Sequence, residues 1–158
     1  MSYAELPTGW LLILRPEAGY LDEKAVGPLS AGGEAMLFVL SETVMYSMVQ
    51  GYADGEGLWS IEHDGGGKGV LHLDIVGSPP AELGAVRGRL MALQVEEGGE
   101  DADVDHVFGI PAELVSALCG FRVDGADLPQ MTLLDEVVRP RGASGGLFKS
   151  LAGLFKRS

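Results

Sequence analysis

Residues 10–14 form an unbroken apolar run, Trp10 to Leu14, closed by Arg15 and Pro16, and residues 36–40 form a second. Runs of this length bounded by breakers predict buried strands. Residues 43–52 are rich in β-formers, and Asp54-Gly55-Glu56-Gly57 supplies a turn before a strand predicted over 58–63. There Trp59, Ile61 and His63 share one face. After a glycine-rich turn over 65–69, the stretch 70–76 alternates again, with Leu71, Leu73 and Ile75 on one face. Matching the apolar faces pairs Ile61 with Leu73 and Glu62 with His72, an antiparallel meander with one wet side. The period then changes. Ser78, Pro79 and Pro80 read as a helix start, and Leu83, Val86, Leu90 and Leu93 follow at helical spacing, which predicts a helix over 79–94. A shorter helix starts at Pro111, with Leu114, Val115 and Leu118 inward and Gly120 as its stop. A short helix over 21–29 and closing strands over 121–123 and 133–138 complete the pattern. The expected class is α+β, an antiparallel meander covered by two or three helices.

At the other end of the chain, Leu147, Phe148, Leu151, Leu154 and Phe155 fall at i, i+1, i+4, i+7 and i+8. On a helix they occupy an arc of about 120°, with Lys149 and Lys156 nearly opposite and Arg157 at the margin. This predicts a basic amphipathic helix over 147–158, joined by a Pro, Gly and Ser linker over 139–146 to an acidic domain over 1–138. The segments Gly-Leu-Phe-Lys and Gly-Leu-Phe-Lys-Arg resemble the C-terminal membrane-targeting helices of bacterial cell-division ATPases of the MinD type. The resemblance covers twelve residues, and the nucleotide-binding motifs of that family are absent. It therefore implies only peripheral attachment to an anionic membrane surface. Two other readings of the tail are docking on the chain's own acidic body as a final core helix, which the −17 body would attract, and docking in a partner's groove.

Composition sharpens this picture through its asymmetry. The 158 residues carry 11 bases and 23 acids, a formal charge of −12, and are 46% hydrophobic. Five of the bases and no acid lie in 139–158, which leaves six bases and all 23 acids, a formal −17, in the first 138 residues. An acidic body argues against nucleic acid and for electrostatically steered binding of a basic protein partner. The residues Glu96, Glu97, Glu100, Asp101, Asp103 and Asp105 form a run without a base, a candidate acidic contact loop. One cysteine, Cys119, excludes an intrachain disulfide and a cysteine-based zinc site. The first five residues lack a basic n-region, so no secretory signal is expected and a cytoplasmic location is.

Few residues sit in patterns that carry chemistry. Ser144 lies in a literal G-x-S-x-G, yet no acid and no histidine follows it as a nucleophile elbow needs. Residues 64–69 hold glycines and Lys68 without the phosphate-loop spacing, and a hairpin turn suits their flanks. Asp101, Asp103 and Asp105 open like a calcium loop, but His106 stands where glycine is required and Ala112 where the bidentate carboxylate belongs. Glu62, His72 and Asp74 converge on the predicted wet face, and an exposed Glu–His pair explains them without a metal. The expected function is a non-enzymatic acidic binding protein without cofactor, a bacterial immunity-type inhibitor of a basic protein being one concrete version. The alternatives are a membrane-peripheral adaptor anchored by the tail, and a metal-dependent enzyme using Glu62, His72 and Asp74.

Overall fold

A computed structural model describes residues 2–15, 23–122, 129–133 and 151–157. Its strands are β1 (Ser2–Glu5), β2 (Trp10–Arg15), β3 (Gly33–Ser41), β4 (Tyr46–Ala53), β5 (Glu56–Asp64), β6 (Asp74–Gly77), β7 (Thr132–Leu133) and β8 (Leu151–Arg157). The helices are α1 (Glu23–Val26), α2 (Gly65–Lys68), α3 (Glu82–Glu96) and α4 (Ile110–Cys119), with short 3-10 turns over Gly27–Ser30, Gly99–Asp101 and Val107–Gly109. The described strands form one antiparallel sheet in the order β6-β5-β4-β3-β8-β2-β1-β7, and the fold is α+β.

Strand alternation divides the core in two. Leu12, Met36, Phe38, Val49 and Ile61 point to the face covered by α3 and α4, where Leu83, Leu90, Ile110, Leu114 and Val115 meet them. On the opposite face, Ala35, Leu37 and Tyr52 pack with Val26 of α1. Burying one such aliphatic side chain is worth about 1.5–3 kcal/mol, so the larger cluster under α3 and α4 dominates stability. The β4–β5 hairpin closes through Asp54 and Gly55, both at positive φ, as a two-residue turn requires. Within that hairpin the Trp59 ring lies against Gly51, where a Cβ would stand 2.2 Å from the indole.

Several expectations change at this level. The β5–β6 ladder pairs Ile61 with Ile75 and Glu62 with Asp74, two residues beyond the predicted register. The reason is local: Asp64 caps the helical turn α2 by accepting from the Gly67 N–H, and the chain spends residues on that turn before pairing resumes. An offset of two preserves which residues face the core. α3 starts later than predicted, with Ala81 at its N-cap and no side-chain cap from Ser78; its inward stripe of Leu83, Val86 and Leu90 continues in the fully buried Gln94, with Leu93 half-buried against the same core as expected. Phe121 is buried but not in a strand, and 123 lies outside the described residues, as do 134–138. β1 was not predicted.

The largest correction concerns the tail. Residues 151–157 are a strand, not an amphipathic helix. β8 pairs with both β2 and β3, placing Leu154 in register with Leu12 on one side and Met36 on the other. Two causes favour this outcome. A twelve-residue helix is marginal in water, and its Leu-Ala-Gly-Leu-Phe run is equally a short apolar strand. β2 and β3 also run parallel with one strand's width between them, and the antiparallel insert β8 pairs with the backbone donors and acceptors of both. Residues 147–150, including Leu147, Phe148 and Lys149, and the predicted linker 139–146 lie outside the described residues. Among the described residues, no helix is long and apolar enough to cross a membrane.

Candidate functional site

The acidic run leaves the end of α3 and returns to α4, and it is fastened from below. Gln94 continues the apolar stripe of α3 inward and is fully buried. Its Nε2 donates to the Gly99 carbonyl at 2.7 Å, and its Oε1 accepts from the His106 N–H at 2.7 Å. One amide thus holds both arms of the loop. Asp105 gives a second anchor, accepting from the Phe108 N–H at 2.9 Å and meeting His63 Nε2 at 3.0 Å. A third contact brings Glu97 Oε2 within 2.8 Å of His106 Nε2, off the axis of a regular hydrogen bond.

These anchors sort the six acids. Glu96, Glu97, Glu100, Asp101 and Asp103 are exposed, whereas Asp105 turns inward as a structural group. Val95 and Val104 stand beside the exposed acids, 72% and 50% exposed. No Lys or Arg occurs between Arg89 and Arg122 to neutralise the surface in sequence. The result is a held acidic rim with two apolar contacts.

The second cluster gathers where β5 ends and β6 begins. Glu62, His72 and Asp74 do converge, with donor atoms all within 4.8 Å of one another. Lys68, carried back over the sheet by α2, donates to Glu62 Oε1 at 3.1 Å and Asp74 Oδ2 at 3.2 Å. Tyr46 donates to Glu62 Oε2 at 3.1 Å. His72 Nε2 lies 3.0 Å from the same Asp74 oxygen, again off-axis. His72 first, and then Lys68, holds the Asp74 carboxyl below the usual carboxylate range, while Glu62 and then Asp74 push the Lys68 ammonium up. An ammonium therefore occupies the place between the carboxylates where a cation would sit.

The tautomer of His72 bears on metal chemistry. Its Nδ1 accepts from the Asp64 N–H at 2.9 Å, so the ring proton belongs on Nε2. That leaves no lone pair on Nε2 for an ion unless the Asp64 bond breaks.

A serine, a histidine and an acid also meet in the interior: Ser47 is opposite His63 in the ladder, and His63 meets Asp105. The wiring is not that of a nucleophile and base. Ser47 Oγ donates to the Phe108 carbonyl at 2.7 Å, and the second ring nitrogen of His63 meets the His72 carbonyl at 2.7 Å. Ser47 and His63 are both fully buried. Cys119 is buried too, donating to the Val115 carbonyl, and burial pushes its thiol up, away from the reactive thiolate. Ser144 lies outside the described residues. Comparison with protein-family models, with curated proteins and with solved structures finds no match to this chain.

Local pattern missed Gln94, Ser47 and the pairing of His63 with Asp105. Gln94 had a signal, since a polar residue that extends an inward stripe is a buried hydrogen-bonding group.

Proposed function

We propose that this chain is a non-catalytic binding protein that presents its 96–105 loop to a basic protein partner. The Gln94 clamp is the observation that supports the reading: a buried amide fixes both arms of a loop whose outward groups are acids and two valines. A connection that only spans two helices needs no such fastening, whereas a contact surface gains from being ordered before it binds. The exposed carboxylates would steer encounter with a positive partner, and Val95 and Val104 would supply apolar contact at the centre. A bacterial immunity-type inhibitor of a basic protein, acting in the cytoplasm, is the concrete form of this reading.

The metal-dependent alternative has the convergence of Glu62, His72 and Asp74 in its favour, and the Lys68 ammonium and the His72 tautomer against it. The membrane-peripheral alternative rested on a helix that residues 151–157 do not form.

The test immobilises the full chain and a variant carrying Glu96→Gln, Glu100→Gln, Asp101→Asn and Asp103→Asn, which leaves the Glu97 and Asp105 anchors untouched. A basic protein retained from the source-cell lysate by wild type, and lost by the variant at equal thermal stability, supports the reading. Equal retention by both removes the loop from the interface.

A further inference from the structure

Among the described residues β6 is the outermost strand on its side of the sheet, and its outer edge carries backbone groups that the ladder does not use. On β5 the even-numbered residues turn their backbone groups toward β6. Asp64 donates to the His72 ring and Leu58 accepts from the Ser78 N–H, whereas the Gly65 N–H reaches the other way, to the Met45 carbonyl. The register sets Ser60 against Val76 and Glu62 against Asp74, so Val76 and Asp74 spend their backbone groups on β5. The N–H and C=O of Ile75 and Gly77 consequently point off the sheet. The side chains alternate to match. Ile75 packs against the core under α3 and α4, while Val76 emerges on the other face, 63% exposed, with Leu58 as its diagonal neighbour at 50%. Open edges are usually guarded by charge, and the acid on this one, Asp74, is tied to Lys68 and His72.

We propose that β6 is a self-association edge, on which a second copy of this chain pairs antiparallel about a two-fold axis at Val76. The charges and the proline choose both the occupant and the register. Centred on Asp74, the pairing would oppose two carboxylates; centred on Ile75, it would set each Val76 against an Asp74. Centred on Gly77, it would offer Ile75 a Pro79, which has no N–H. Centred on Val76, the two valines meet directly, Ile75 and Gly77 of each copy exchange hydrogen bonds with Gly77 and Ile75 of the other, and each Asp74 faces an uncharged Ser78. Stable dimers bury about 1,200–2,000 Å², more than a four-residue strand offers, so this pairing is weak and set by concentration. Each copy carries a formal −12, so association strengthens as salt rises. That is the opposite sign to an acidic loop meeting a basic protein.

Sedimentation equilibrium of the full chain, from ~10 µM to ~1 mM in ~0.1 and ~1 M salt, should show a reversible dimer favoured by concentration and by salt. Over the same series the Ile75 and Gly77 amides should gain protection by about threefold or more as mass action fills the dimer. Val76→Lys should remain a monomer with an unchanged melt. Val76→Cys should form a disulfide-linked dimer under mild oxidation, because opposed residues at a non-hydrogen-bonded position stand with Cα atoms ~4.5 Å apart. Leu58→Cys, exposed on the same face but one strand back, should cross-link far more slowly, and the buried Cys119 takes no part. A chain that stays monomeric throughout overturns the proposal. So does a dimer that Val76→Lys leaves intact, or cross-linking as fast at Leu58→Cys as at Val76→Cys. Should Val76→Lys not fold, protection of Ile75 and Gly77 in wild type decides, its independence of concentration counting against the pairing. The acidic loop takes no part in this edge, so failure to bind a basic partner leaves these readouts intact.

Discussion

Replacing Gln94 by Met isolates the clamp from the packing around it. Methionine is close to glutamine in volume and flexible enough to fill the same space, so little cavity or overpacking cost is expected. What disappears is two buried hydrogen bonds, one donated to Gly99 and one accepted from His106. At ~0.5–1.5 kcal/mol each, their loss should cost about 1–3 kcal/mol. The backbone groups left behind belong to half-buried residues, where water can partly replace the amide, so the lower half of that range is expected. Urea denaturation should show a reduced midpoint with an unchanged slope, since the surface exposed on unfolding is nearly the same. Hydrogen exchange should concentrate the effect in residues 98–106 and spare β3 to β5. A loss below ~0.5 kcal/mol with unchanged loop protection would refute the clamp as the element that orders the acidic rim.

Three further outcomes follow from other parts of the structure. Leu154→Pro should lower the melting temperature sharply, because an interior strand cannot lose a ladder donor without orphaning a carbonyl, at ~1–3 kcal/mol for that group alone; an unchanged melt would place 151–157 outside the sheet. His72→Ala removes the acceptor of the Asp64 N–H from a ring only 11% exposed, so it should cost about 1–3 kcal/mol, and calorimetric titration of wild type with zinc or manganese should show no stoichiometric binding; a 1:1 isotherm lost in His72→Ala would restore the metal reading. The Asp74 carboxyl is lowered from 3.8 in the fold, so its contribution to stability is present above that value and fades as pH falls through the lowered one, while Lys68, raised from 10.5, loses its contribution as pH rises through its own raised value. Asp74→Asn should therefore flatten part of the acid limb of a stability–pH curve; an identical acid limb in the variant would contradict the cluster.

Legibility followed the range of the interaction. Strand faces were readable because a period of two assigns every residue a side, and even the two-residue register offset between β5 and β6 kept Ile61 inward and Glu62 beside Asp74. The convergence of Glu62, His72 and Asp74 was readable for the same reason. Lys68 was not, because its position depends on α2 folding back, and glycines 65–67 signal a turn without fixing its shape. His63 was visible as a polar residue on an apolar face, but its partner Asp105 is 42 residues away. The tail failed differently. Helical spacing over 147–155 competes with a five-residue apolar run, and what decides is the vacant width between β2 and β3, which no local window contains.

If the held acidic loop receives a basic protein, association kinetics will show it. Once the retained partner is in hand, its association rate should be measured for wild type and the four-site amide variant between 0.1 and 1 M salt, where the Debye length shrinks from ~10 to ~3 Å. The wild-type rate should fall steeply with salt, by ~10-fold or more, while the variant rate starts low and changes little. Matching rates for the two chains, flat across the salt range, would contradict it.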